Sequence, residues 1–167
     1  MTATVLSIDP SGDQRGHTGI SLLAYSDTEA VHELASWAVT GGIEPFRRWY
    51  ETTVQQRFFI PVDGYPTPID TVVVEHFVNR HIKGADISPL GMEYIVRWLW
   101  PEAVLSPASG KNTAVSDPAL KRLGLYEDKS HHHDVREARR HGVWYVKRQR
   151  HLPTLKEAWG NERIDLG

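Results

Sequence analysis

The sequence predicts a single α/β domain built on a five-stranded mixed sheet, with three antiparallel strands, then two parallel ones, and helices on the flanks. Three observations lead there. Strand-like segments follow one another over residues 5–40 with short polar connections, the pattern of an antiparallel meander. Two apolar runs, Val5 to Asp9 and Ile69 to Glu75, are continuous rather than alternating, as in strands covered on both faces. Helical periodicity fills the spaces between and after the later strands.

The first strand, Val5-Leu6-Ser7-Ile8-Asp9, is closed by Pro10-Ser11-Gly12, so Asp9 sits at its mouth. An ionised carboxylate at the end of a core strand costs several kcal/mol or more unless it is paired or bound to a cation. Two readings stand: Asp9 accepts N–H groups from the turn that follows, or it is a ligand. Asp13 to His17 is a polar loop, Thr18 to Tyr25 a second strand, Ser26-Asp27 a turn, and Val31 to Thr40 a third strand ended by Gly41-Gly42. From Ile43 to about Phe59 the period turns helical, with Ile43, Phe46, Tyr50 and Val54 on one stripe. Pro61 to Pro68, with Asp63-Gly64, reads as a loop.

The β-branched run Ile69 to Glu75 again ends on an acid. If the two buried strands are parallel neighbours, Asp9 and Glu75 share the carboxyl-end edge where open α/β sheets carry their sites. His76 to Gly84 reads as a loop with one aromatic, Phe77, among basic groups. A helix is expected from Pro89 to Trp100, a short strand from Ala103 to Pro107, a loop with Ser109-Gly110-Lys111, and a short helix from Asp117 to about Leu123. The last long helix runs from His133 to about Arg150, stopped before Pro153. On it Asp134, Ala138, His141 and Tyr145 share a stripe, Glu137 lies one step around, and Arg136, Arg140 and Lys147 fall on the far side. Asp134 and Glu137 are each also explained as helix-start residues. The domain is expected to span residues 1–152, followed by a polar, loosely held tail, 153–167, in which Leu155 and Trp159 are the exceptions.

At 167 residues and 40% hydrophobic content the chain suits one core. It has no cysteine, which excludes disulfides and thiolate metal sites. It shows neither a signal-like N-terminus nor a bilayer-length apolar stretch, so it reads as soluble and cytosolic, with no membrane partner. The net charge of -2 is uneven: residues 1–46 carry -5 and the remainder +3. The late basic run, Arg136, Arg139, Arg140, Lys147, Arg148 and Arg150, reads first as a solvated helix face.

This order of elements and acids resembles the RuvC-type Holliday junction resolvases, in particular the shorter phage-like versions, within the RNase H-like nuclease superfamily. The residues that carry the resemblance lie between about 4 and 150. Ile8-Asp9-Pro10 followed by Thr18-Gly19 is similar to the family's opening hairpin, and Val72-Val73-Val74-Glu75 to its second acid. Asp134-x-x-Glu137 resembles its paired acids, with Glu in place of the more usual second Asp, and Pro107 with Lys111 its DNA-contacting segment.

The resemblance implies an RNase H-like fold and a metal-dependent DNA endonuclease that cuts four-way junctions by paired symmetric nicks, leaving 5′-phosphate and 3′-hydroxyl ends. The setting would be the cytoplasm of a bacterial or phage-infected cell. Hydrolysis of a phosphodiester needs a nucleophile near neutral pH and neutralisation of charge on the entering and leaving oxygens; two Mg²⁺ ions about 4 Å apart supply both. Mn²⁺ is expected to substitute. Asp9 would bridge both ions, Glu75 and Asp134 would hold one each, and Glu137 would take a peripheral position or hold a coordinated water. His133, within the His131–His133 run, and His141 are auxiliary candidates, with exposed-loop and packed-core readings beside them. Phe77 would stack on a base at the junction centre or pack in a dimer contact; Arg80, Lys83 and Lys111 would contact phosphates or simply be solvated. A two-fold symmetric substrate implies a homodimer, for whose interface Phe46, Trp49, Trp98 and Trp100 are candidates.

Other readings lead elsewhere. The same nuclease could act on flaps, forks or RNA-containing duplexes, since fold does not fix substrate. A non-catalytic junction-binding module would not need all four acids. An actin-like nucleotide-binding fold would need a second domain, which a chain of this length lacks.

Overall fold

The computed structural model describes residues 1–11, 13, 15–77, 87–108, 114–128 and 133–160. Its central sheet contains β1 (Thr2–Asp9), β2 (His17–Ser26), β3 (His32–Thr40), β6 (Thr71–His76) and β7 (Val104–Pro107), in the spatial order β3-β2-β1-β6-β7. The first three strands are antiparallel, and β1, β6 and β7 are parallel to one another. This is the expected mixed sheet. The β1–β6 ladder ends at Ile8↔Val74, so the next residue of each strand is a carboxylate, Asp9 and Glu75.

Side-chain alternation then decides which way those acids point. Leu6, Ile8, Val72 and Val74 enter one core with Phe46, Trp49, Met92 and Val96, carried by α1 (Ile43–Thr53) and α2 (Ser88–Leu99). Val5 and Val73 enter the other core, which is covered by α3 (Asp117–Arg122), α4 (His133–Arg148) and α5 (Leu152–Trp159). Because strand side chains alternate, Asp9 and Glu75 belong to the second face, beneath α4.

Two glycines let α4 lie close on that face. A Cβ on Gly142 of α4 would stand 2.5 Å from Leu23 Cδ1 and 2.9 Å from Ser7 Oγ. A Cβ on Gly19 of β2 would stand 2.0 Å from the carbonyl oxygen of Asp134. Gly19 is the cross-strand partner of Asp9, so the first turn of α4 is seated beside the mouth of β1.

Several elements differ from the sequence reading. The first helix stops at Thr53 rather than near Phe59, because Gln56 and Arg57 adopt positive φ and turn the chain. The expected loop from Pro61 to Pro68 belongs to a hairpin of β4 (Phe59–Val62) and β5 (Tyr65–Pro68), turned at Asp63 and Gly64, both with positive φ. Its prolines disguised it; in a two-stranded ribbon every strand is an edge, where proline is tolerated. The tail beyond Pro153 begins with α5, in which Thr154, Leu155 and Ala158 are buried and Thr154 Oγ1 accepts from Val31 N at 2.9 Å. Pro153 stands in the first turn of this helix, where its missing N–H costs nothing. Residues 161–167 lie outside the described part.

The basic run is not a solvated face throughout. Arg139 and Arg140 are buried, Arg139 against Glu33 (2.6 Å) and Glu127 (3.1 Å), and Arg140 against Asp117 (2.5 Å), Glu137 (3.3 Å) and the carbonyl of Val115. One of the early acids, Glu33, is thus met by a late arginine, Arg139. Of the aromatics considered for a subunit contact, Phe46, Trp49 and Trp100 are core residues; Trp98 is 71% exposed. Among the described residues no helix is long and apolar enough to cross a membrane.

Candidate functional site

Where the parallel strands end, Asp9, Glu75 and His141 converge, one ligand atom from each lying within 4.8 Å of the others. His141 Nε2 is 3.5 Å from Asp9 Oδ1 and 3.9 Å from Glu75 Oε1. The imidazole is fully buried while the carboxylates stay 14% and 20% exposed, so the cluster opens to solvent on its acidic side. Two carboxylates this close repel unless positive charge lies between them.

The histidine is oriented from behind. Ser106 of β7 pairs in register with Glu75, and its Oγ lies 2.5 Å from His141 Nδ1 and 3.4 Å from the carbonyl oxygen of Val74. In the tautomer that carries its proton on Nδ1, the ring donates to this hydroxyl, the hydroxyl donates to Val74 O, and the Nε2 lone pair faces the gap between the carboxylates. This is how a ligating imidazole is generally held. The donor set fits a divalent cation: carboxylate oxygens suit Mg²⁺ and Mn²⁺, and an imidazole nitrogen adds affinity for first-row transition ions.

At the other side of Asp9, Thr18 ties down the turn. Its hydroxyl donates to Ser11 O at 3.1 Å and accepts from Ser11 N at 3.0 Å, holding the main chain of Ser11 from both sides. Asp134 stands in the first turn of α4, half-buried, with its main chain against Gly19; it is not one of the three residues of the cluster. Glu137 is buried, with Oε1 3.3 Å from Arg140 Nε and 3.8 Å from Arg136 Nε.

Phe77 is half-buried just past the end of β6. Arg80, Lys83, Lys111, His131, His132 and the side chain of His133 lie outside the described residues. Sequence reasoning missed Ser106 and Glu93. Ser106 is the one polar residue in a short apolar strand, and Glu93 is a carboxylate flanked by the core residues Met92 and Val96, which is the signal that was available.

No protein-family model and no curated protein matches the chain by sequence. Solved structures do match its fold. The chain is 15% identical to Thermus thermophilus RuvC in complex with a Holliday junction substrate, with a TM-score of 0.59 over 90% of this chain and 97% of that one. A second T. thermophilus RuvC structure gives 16% identity and a TM-score of 0.58 over 88% and 95%. The fold is therefore of the RuvC type, as the sequence resemblance implied.

Proposed function

We propose that this protein is a divalent-metal-dependent endonuclease that resolves four-way DNA junctions. The observation that carries the reading is the convergence of Asp9, Glu75 and His141 at the carboxyl edge of the parallel strands. It gains support from a fold shared over nearly the whole length of a RuvC bound to a junction.

A divalent cation, or a pair of them, bound here would supply a nucleophile at neutral pH and offset charge on the phosphate oxygens. Mg²⁺ is the natural candidate and Mn²⁺ its substitute. Asp9 and Glu75 would hold and orient it, and Asp134, whose main chain packs on Gly19, the cross-strand partner of Asp9, would add the next carboxylate. His141 offers Nε2 from the closed side of the cluster. Glu137 stays peripheral, placed by Arg140. In this reading Phe77 meets unstacked bases at the branch point, and Arg80, Lys83 and Lys111 contact phosphates. Two symmetric cuts, each leaving a 5′-phosphate and a 3′-hydroxyl, require two such sites, and a homodimer provides them. The reaction belongs in the cytoplasm of a bacterial or phage-infected cell.

The test is cleavage of a synthetic four-way junction, a flap and a linear duplex side by side with Mg²⁺, Mn²⁺ or EDTA. Paired nicks in the junction alone, abolished by EDTA, are expected. Cleavage of flaps or forks instead would keep the site and change the substrate. Tight junction binding with no cleavage of any substrate would make the protein a binding module.

A further inference from the structure

Glu93 is 1% exposed, on the core-facing side of α2 between Met92 and Val96. A buried carboxylate costs several kcal/mol unless hydrogen bonds compensate it, and an apolar residue would pack this helix without that cost. Its hydrogen bonds run to the end of β6 and to Arg97 of its own helix. Oε2 accepts from the backbone N–H of Phe77 at 2.8 Å, His76 Nδ1 lies 3.2 Å from both carboxylate oxygens, and Arg97 Nη1 is 3.5 Å from Oε1.

The position of these bonds along β6 is what matters. Pairing with β1 ends at Val74, whereas pairing with β7 continues to His76. Glu75 thus lies one residue past the last register pair of β1 and β6, just where the candidate ligand must be aimed. Alternation sends Glu75 toward α4 and His76 toward α2. Glu93 grips His76 and the next N–H from the face opposite the cluster, which fixes the phase of the pleat at Glu75. Rotation of the strand end by one residue would carry Glu75 away from Asp9.

We propose that Glu93 is a positioning residue, whose buried carboxylate clamps His76 and Phe77 and thereby holds Glu75 on the cation and Phe77 at the strand exit. The inference rests on the metal-site reading above. Glu93→Gln retains an oxygen acceptor for Phe77 N–H and an amide that donates to His76 Nδ1; Glu93→Ala retains neither.

Two readouts on the full chain test it: amide hydrogen exchange at Phe77, and Mn²⁺ affinity by titration without DNA, with far-UV circular dichroism as the folding control. Glu93→Ala is expected to lose protection at Phe77 and to bind Mn²⁺ about tenfold more weakly, while Glu93→Gln keeps protection and stays within about twofold of the parent. Unchanged Phe77 exchange in Glu93→Ala would overturn the clamp. Lost protection with parental Mn²⁺ affinity would overturn its action on the site. Should Glu93→Ala not fold, Glu93→Gln decides: loss of Phe77 protection or a tenfold loss of affinity there contradicts the proposal. A parent protein that binds no Mn²⁺ fails in its own arm, separately from any variant, and takes the metal reading down with the inference.

Discussion

Gly19 and Asp134 meet main chain to main chain: a Cβ on Gly19 would fall 2.0 Å from the Asp134 carbonyl oxygen and 2.6 Å from Val135 N. Backbone cannot yield there as a flexible side chain would. Gly19→Ala should therefore lift the first turn of α4 from β2 and separate Asp134 from Asp9. The expected cost is about 1–3 kcal/mol of stability, with a loss of cleavage larger than any loss of junction binding. Thermal melts and cleavage assays check it; a parental melting temperature together with parental cleavage would contradict the packing.

Ser106 should matter through His141. Ser106→Ala removes the hydroxyl at 2.5 Å from Nδ1 and frees the ring to turn. The expected result is a roughly tenfold weaker affinity for Mn²⁺ with little change in junction binding. Nitrogen shifts of the His141 ring, read by NMR, should move from one fixed tautomer toward a mixture. A ring signature identical to the parent would remove Ser106 from the site.

The buried pair of α4 separates structure from function at Glu137. Arg140→Met leaves Glu137 buried with its nearer cation gone and should destabilise the protein by about 3–5 kcal/mol. Glu137→Gln keeps the shape and leaves Arg140 its bonds to Asp117 and Val115, so stability should fall much less. If Glu137 serves the site from its margin, the same variant should lower cleavage by about 10–100-fold. Chemical denaturation and cleavage rates measured on both variants distinguish the two roles.

Asp117 gives the fold a pH dependence. Its hydrogen bond from Arg140 holds the carboxyl below the ordinary aspartate value. A depressed folded-state value means the ionised group stabilises the native state above the ordinary aspartate range, and that this contribution disappears as pH falls through the lowered value. Asp117→Asn should flatten the acid limb of the melting-temperature profile slightly, since the side chain is half exposed. An acid limb identical in the two proteins would show that the pair contributes nothing.

What could be read in the sequence follows from which forces act locally. Val5 to Asp9 and Ile69 to Glu75 announce themselves because burial on both faces demands continuous apolar runs, and the acid at the end of each is an anomaly visible without coordinates. The mixed sheet followed from them. The hairpin of β4 and β5 was hidden because three prolines outweighed the Asp63-Gly64 turn that makes it. The burial of Arg139 and Arg140 was hidden because their partners, Glu33, Glu127 and Asp117, are up to 106 residues away in sequence. His141 shared its stripe with Asp134 in the sequence, yet its meeting with Asp9 and Glu75 depends on how closely α4 approaches the sheet, which Gly19 and Gly142 set through space.

In the proposed function Asp9 and Glu75 hold a cation for strand cleavage rather than supporting the fold. The measurement that tests it most directly is junction cleavage, junction binding and Mn²⁺ affinity, determined together for Asp9→Asn and Glu75→Gln. Cleavage should fall to background and Mn²⁺ affinity with it, while melting temperature and metal-free junction affinity stay near parental values. Variants that still cleave, or that lose folding and junction binding in step with cleavage, would show these carboxylates to be structural.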